Sequence, residues 1–186
     1  KTSPVKERII ETASRLFYQN GYNLTGINEV IREAGIAKAT LYHHFRTKDD
    51  LCIAYIQHMN GQFLRNLSNY ILEQPNGSAQ ILGIFDFLLE FFEDRAFNGC
   101  WCINTVSEVP RGNESVRAEI KRQKDRFLDL IREVVANNQP NLHASEAERL
   151  AKRLYLLYEG AISEAHLLQE PWPIESARLL CEQLLD

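Results

Sequence analysis

Two stretches of this 186-residue chain carry side chains whose type and spacing suit chemistry. The first is Lys38-Ala39-Thr40-Leu41-Tyr42-His43-His44. Lysine suits the acceptors of a guanine edge, and the methyl of an alanine or threonine suits the thymine methyl. Lys38, Ala39, Thr40 and His43 are therefore candidates for base edges, while Leu41 and the following Phe45 belong to a core. The second stretch is Gly99-Cys100-Trp101-Cys102 with Asn104. Its side chains fit three roles: packing, because a free cysteine is a small buried hydrophobe; the wall of a ligand pocket; or a reactive thiol, given a lowered pKa that Arg95 or a helix start just after Cys102 would supply.

The elements that must position the first stretch run from Thr25 to Lys48. Thr25 is a good N-cap, and Ile27, Val30 and Ile31 recur at helical spacing on one face. Gly35 suits the left-handed position of a sharp helix-to-helix corner. Beyond it, Ile36, Leu41 and Phe45 point inward, and the residues between them are left outside. This is a helix-turn-helix whose second helix ends near His44 and lacks a side-chain cap at Ala37. The Thr25 hydroxyl and the amides of a helix start can hold a phosphate, and Lys48 adds charge at the next helix start.

The run AGIAKATLYHHFRTKDDL resembles the signature of the TetR family of bacterial transcriptional regulators. The matching pieces are Thr25, Ala34-Gly35-Ile36, Lys38, Thr40-Leu41-Tyr42, His44-Phe45, Lys48 and Leu51. Ala37 and Ala39 depart from it, standing where the family most often has a serine cap and a glycine. The resemblance is specific over residues 4–51 and architectural beyond them. It implies that Tyr42 and His44 address the DNA backbone and that the last two helices form a four-helix bundle with their copy in a homodimer. Gly-Cys at 99–100 is also similar to that of some redox-responsive members.

Nearly half of the residues are apolar and a quarter charged, as in soluble globular proteins. The net charge of −4 argues at face value against a nucleic-acid partner. Residues 1–50, however, hold eight Lys/Arg against six Asp/Glu, a balance of +2 that leaves −6 for the remainder. The positive end coincides with the helix-turn-helix, as the footprint of a DNA binder should. Four cysteines at 52, 100, 102 and 181 are too few and too unevenly spaced for a disulfide scaffold, so reduced thiols are expected. The most apolar run, ILGIFDFLLEFF, carries Asp86 and Glu90, so no membrane span is expected. KTSPVKER has charges where a secretory signal needs an apolar core, which predicts a cytoplasmic protein.

Elsewhere the periodicity is helical throughout. Ser3-Pro4 opens a first helix with its apolar face at Val5, Ile9, Ala13, Leu16 and Phe17, stopped by Asn20-Gly21. Thr47 and Asp50 form a capping box for a helix to about Glu73, which tolerates Gly61 and is the expected lever between domains. Further helices are expected from Ser78 to about Arg95, through INTVSEV, from Asn113 to about Asn137, from a Ser145/Glu148 capping box to about Leu168, and after Pro171-Trp172-Pro173. The fold class is all-α with about nine helices. A three-helix DNA-binding domain spans 1–47, and a ligand-sensing and dimerisation bundle spans 48–186. Leu150, Leu154, Leu157, Ala161, Ile174, Ala177, Leu180, Cys181 and Leu184 offer the last two helices more apolar face than one core needs.

A pocket built from these elements would draw on His58, Phe63, Phe85, Cys100, Trp101, Asn104, Tyr155 and Tyr158. No cofactor is expected, and Cys-x-Cys with scattered His143 and His166 lacks the ligand spacing of a metal site. The resulting reading is a sequence-specific DNA-binding regulator and not an enzyme: a homodimeric repressor of a palindromic operator, released by a small-molecule inducer or by thiol modification. The alternatives are a helical thiol-dependent enzyme, which lacks a positioned His/Asp partner, and a ligand-binding protein without DNA affinity.

Overall fold

The computed structural model describes residues 3–185; Lys1, Thr2 and Asp186 lie outside it. Among the described residues the chain forms nine helices: α1 (Pro4–Asn20), α2 (Ile27–Glu33), α3 (Lys38–His44), α4 (Lys48–Glu73), α5 (Ser78–Glu93), α6 (Trp101–Glu108), α7 (Glu114–Asn138), α8 (Ala144–Leu168) and α9 (Trp172–Leu185). They fall into two compact units. Among the described residues, one comprises residues 3–62 and 101–124, the other residues 63–100 and 125–185. α4 and α7 each contribute to both.

In the first unit, Ser3 caps α1 through the Lys6 amide with Pro4 at the first helical position. Ile9, Ala13, Leu16 and Phe17 of α1 are buried together with Val30 of α2, Leu41 of α3, and Leu51, Tyr55 and Ile56 of α4. Phe17 meets Tyr55 at 5.5 Å and Tyr22 at 5.9 Å between ring centroids. Gly35 adopts φ +61°, so the left-handed corner between α2 and α3 falls on the residue that carries no Cβ penalty. The capping box at α4 is reciprocal, with the Thr47 amide donating to the Asp50 carboxylate and the Asp50 amide to the Thr47 hydroxyl, both at 3.0 Å. A buried polar chain joins α4 to α7, where Asn60 donates to Gln123 at 2.8 Å and Gln123 donates to the buried Glu119.

In the second unit, α5 lies against α8 and α9. Ile81, Ile84, Phe85 and Leu88 are buried with Leu154, Ala161 and Ala165 of α8 and Ile174, Ala177 and Cys181 of α9. Arg178 of α9 pairs with Asp86 of α5, and Arg132 of α7 forms a two-pronged bond with Glu148 of α8 at 2.7 Å. The α8 cap differs from expectation. His143 is the N-cap and Glu146 reaches back to it, because the helix begins at Ala144, before Ser145, and Glu148 is already taken by Arg132.

The broad apolar strip of α8 and α9 divides in two. Leu150, Leu154, Ala161, Ile174, Ala177 and Cys181 turn into the unit's own core, whereas Leu156 (68 % exposed), Leu180 (47 %) and Trp172 (50 %) face outward. Two grooves lie along that outer strip. One, of about 540 Å³, is lined by Arg153, Leu156, Leu157, Leu180, Gln183 and Leu184; the other, of about 230 Å³, runs on past Gly160 to Trp172. No helix among the described residues is long and apolar enough to cross a membrane.

Candidate nucleic-acid interface

α3 is positioned by two anchors. Leu41 is fully buried and Phe45 almost so, which turns Lys38, Ala39, Tyr42 and His43 outward as exposed residues and leaves Thr40 half-buried. Ala37 occupies the N-cap with extended φ and ψ and makes no side-chain bond, so the first amides of α3 are left for another acceptor. The Lys38 ammonium lies 5.9 Å from the Tyr42 ring centre, one helical turn on. His43 and His44 meet edge to face at 5.0 Å, with His44 half-buried toward Phe45.

Thr25 is placed differently from the sequence-based expectation. Gly26, not Thr25, is the N-cap of α2, and it makes no side-chain bond. Thr25 is entirely buried, with its hydroxyl 2.8 Å from the Gly21 carbonyl and 3.1 Å from that of Leu16. The hydroxyl is committed to closing the α1–α2 connection, so it is withdrawn from any phosphate. The first amides of α2 thus carry no side-chain cap. Lys48, the first residue of α4, rests on the Tyr22 ring at 4.4 Å, and the Tyr22 hydroxyl donates to Asp49. Burial lowers the Lys48 pKa below its usual value, with Cys52, Glu108 and Asp49 acting in the opposite direction.

The residues suggested for a ligand pocket divide between the two units. His58, Trp101 and Asn104 belong to the first, where Trp101 packs edge-on against Tyr18 at 6.5 Å. Phe63, Phe85, Cys100, Tyr155 and Tyr158 belong to the second. Three of these five, Phe63, Tyr155 and Tyr158, come together around Phe127, which sequence reasoning did not single out. Its ring centre lies 4.7 Å from Tyr158, 5.5 Å from Phe63 and 5.9 Å from Tyr155, and Phe85 reaches Tyr158 at 6.4 Å. The only signal for Phe127 was its place on the apolar face of the amphipathic α7. Phe85 is wholly buried in the single chain and packs as core.

Cys100 is 7 % exposed and immediately precedes the first residue of α6. The helix start thus lies just after Cys100, and Cys102 is inside the first turn, two residues earlier than the sequence suggested. Gly99 has φ +69°, and a Cβ there would lie 2.7 Å from the His166 ring, so both backbone and packing require glycine beside the thiol. Burial pushes the Cys52 and Cys181 thiols up to about 12.

Comparison with known proteins places this geometry. Residues 9–55 match the family model for bacterial regulatory proteins of the tetR family, and residues 77–180 match that of the tetracyclin repressor-like C-terminal domain. The HTH-type transcriptional repressor NemR of Escherichia coli K12 is 23 % identical over 177 residues, covering 92 % of this chain and 89 % of NemR. Among solved structures, SCO4454 of Streptomyces coelicolor, a TetR-family transcriptional regulator, superposes with a TM-score of 0.85 at 27 % identity, covering 98 % of this chain and 89 % of its own. The reduced form of E. coli NemR gives the same TM-score at 22 % identity, covering 98 % and 97 %. These relatives are regulators and not enzymes, which leaves the thiol-enzyme alternative without support. With two family models spanning most of its length around an outward-facing reading helix, the chain belongs to the TetR family and is a DNA-binding transcriptional regulator.

Proposed function

We propose that the protein is a homodimeric cytoplasmic repressor that reads a palindromic operator with residues 1–47 and senses its signal with residues 48–186. The observation that carries this reading is the polarity of α3: Leu41 and Phe45 hold it from within, while Lys38, Ala39 and His43 are exposed and Thr40 is half-buried beside them, as candidates for base edges. Tyr42, His44, Lys48 and the amides at the α2 start serve as backbone anchors. Two reading heads held by a dimer enter successive major grooves roughly 34–36 Å apart. The exposed strip at Leu156 and Leu180 supplies the surface for the second copy.

Fluorescence anisotropy on an operator selected from random-sequence DNA, at two salt concentrations, tests this reading. Lys48→Ala is expected to weaken binding to all sequences alike and to lower the salt slope by about 1. Thr40→Ala should lose roughly 1–3 kcal/mol, confined to one base pair of each half-site. Equal loss on operator and random DNA for Thr40→Ala would remove it from the base-reading set.

Release requires a signal that prefers the low-affinity state, and about 5.5 kcal/mol of preference inverts a 1:99 population. A small molecule gripped beside the Phe63, Tyr155 and Tyr158 rings is one such signal. Modification of Cys100 is the second. It is favoured by the position of Cys100 at the positive end of α6, which stabilises a thiolate, and by the likeness to NemR, whose solved structure is named as a reduced form. Cys100→Ser is expected to bind operator like wild type yet to resist release by hypochlorite, while Cys52→Ser and Cys181→Ser still respond. Release of Cys100→Ser by hypochlorite at wild-type dose would leave the small molecule as the signal.

A further inference from the structure

Each lysine described within residues 3–62 is seated on an aromatic ring. The Lys6 ammonium lies 5.6 Å from the ring centre of Phe45, that of Lys38 5.9 Å from Tyr42, and that of Lys48 4.4 Å from Tyr22. The Lys48 seat is the closest of the three, and its ring is itself held in place. Tyr22 is half-buried, stacks with Phe17 at 5.9 Å between ring centres and 25° between planes, and donates its hydroxyl to Asp49. Its chain neighbours are fixed as well. The Gly21 amide donates to the Phe17 carbonyl at 3.0 Å, and the Asn23 amide donates at 2.7 Å to the carboxylate of Glu108, the last residue of α6.

A ring and a carboxylate hold an ammonium in different ways. A carboxylate takes up both the charge and the N–H donors that a phosphate would call on. An aromatic face attracts the charge through its quadrupole, so the donors turned away from it stay available. The flexible four-carbon stem of a lysine otherwise loses its rotamer freedom at the moment the ammonium meets a phosphate. A seat in the unbound protein removes part of that loss beforehand. Tyr22 suits the task because Lys48 and Asp49 are successive residues of the first α4 turn. The bond to Asp49 ties the ring to the same turn from which Lys48 projects.

We propose that Tyr22 is a positioning residue for operator binding, whose ring face presents the Lys48 ammonium to a DNA phosphate at a preset place without neutralising it. The inference rests on the reading of Lys48 as a phosphate anchor. Tyr22 acts through Lys48, so its effect is on the backbone contact and is blind to sequence.

Anisotropy at low salt, on the selected operator and on random DNA, tests the proposal. Tyr22→Phe keeps the ring face and should bind both DNAs within about twofold of wild type. Tyr22→Leu keeps an apolar body against Phe17 without an aromatic face, and should bind both about threefold to tenfold more weakly. A trifluorinated phenylalanine at position 22 keeps the shape of phenylalanine but withdraws the negative charge of its face. It should lose as much as Tyr22→Leu, and it decides the matter where the leucine variant does not fold. In the Lys48→Ala background these losses should vanish. If the fluorinated ring binds like Tyr22→Phe, or if the losses persist without Lys48, Tyr22 acts by packing alone and the positioning role is overturned while the anchor stands. If Lys48→Ala leaves binding intact, the anchor reading fails and the positioning role fails with it.

Discussion

Replacing Leu156 and Leu180 together by glutamate is expected to yield a folded monomer whose operator affinity falls by roughly 100-fold or more, the scale of avidity lost when two linked binding events are separated. The two side chains are 68 % and 47 % exposed in the single chain, so its own core does not depend on them. The core of α8 and α9 is made by their neighbours Leu154, Ala161, Ile174, Ala177 and Cys181, all buried. The same two leucines border the groove of about 540 Å³ between α8 and α9. A carboxylate forced into a dry interface there has to be desolvated without a partner, which costs several kcal/mol per ion. Sedimentation velocity would report the loss of dimer, and anisotropy at the same protein concentration the loss of operator binding. A double variant that still sediments as a dimer would place the interface on another face.

Phe85→Ala is expected to cost about 3–5 kcal/mol of stability, near the top of what a single core substitution removes. Phe85 is wholly buried on α5, the helix packed against both α8 and α9, and its ring meets Tyr158 at 6.4 Å. Removing it opens a cavity beside Tyr158 in a core whose Ile84, Leu88 and Leu154 are all buried to within 1 %, and side chains so confined relax only partly. Urea denaturation should show the midpoint falling with the slope preserved, since the surface exposed on unfolding hardly changes. A loss below about 1 kcal/mol would mean that the site already holds space, and would return Phe85 to the wall of a ligand cavity.

The two substitutions probe opposite sides of one helix pair, and the difference between them illustrates what could be read in advance. Apolar positions three and four apart announced that α8 and α9 were helices with a wide apolar face. They did not say which leucines would meet α5 and which would stay outside, because a stripe that wide serves two neighbours. Leu154 and Leu156 are two positions apart and are 0 % and 68 % exposed. They lie on opposite faces of α8, and the packing of α5 and α9 decides which of those faces is inside.

The same limit explains the corrections at the caps. Ser145-x-x-Glu148 has the form of a capping box as well as His143-x-x-Glu146, and local chemistry does not choose between registers. The choice came from Arg132, on another helix, which captures Glu148 at 2.7 Å. Thr25 was drawn away from its expected cap for a similar reason. Its buried hydroxyl is held by the carbonyls of Leu16 and Gly21, at the far end of α1, and a residue so enclosed cannot also cap α2.

What local residues dictate here is the helix count, the helix-turn-helix and the outward face of α3, since those depend on periodicity, a glycine corner and two apolar anchors within about twenty residues. The Thr47/Asp50 box was legible for the same reason, because both partners lie on one turn. What depended on long-range packing is every relation between residues far apart in the chain: Phe127 as the hub of the aromatic cluster, His166 over Gly99, and Glu108 on the corner at Gly21 and Asn23. Those contacts join residues more than 25 positions apart, and no periodicity encodes them. They exist because the helices, once formed, must bury their faces against one another, and that packing alone brings the end of α6 to the reading head.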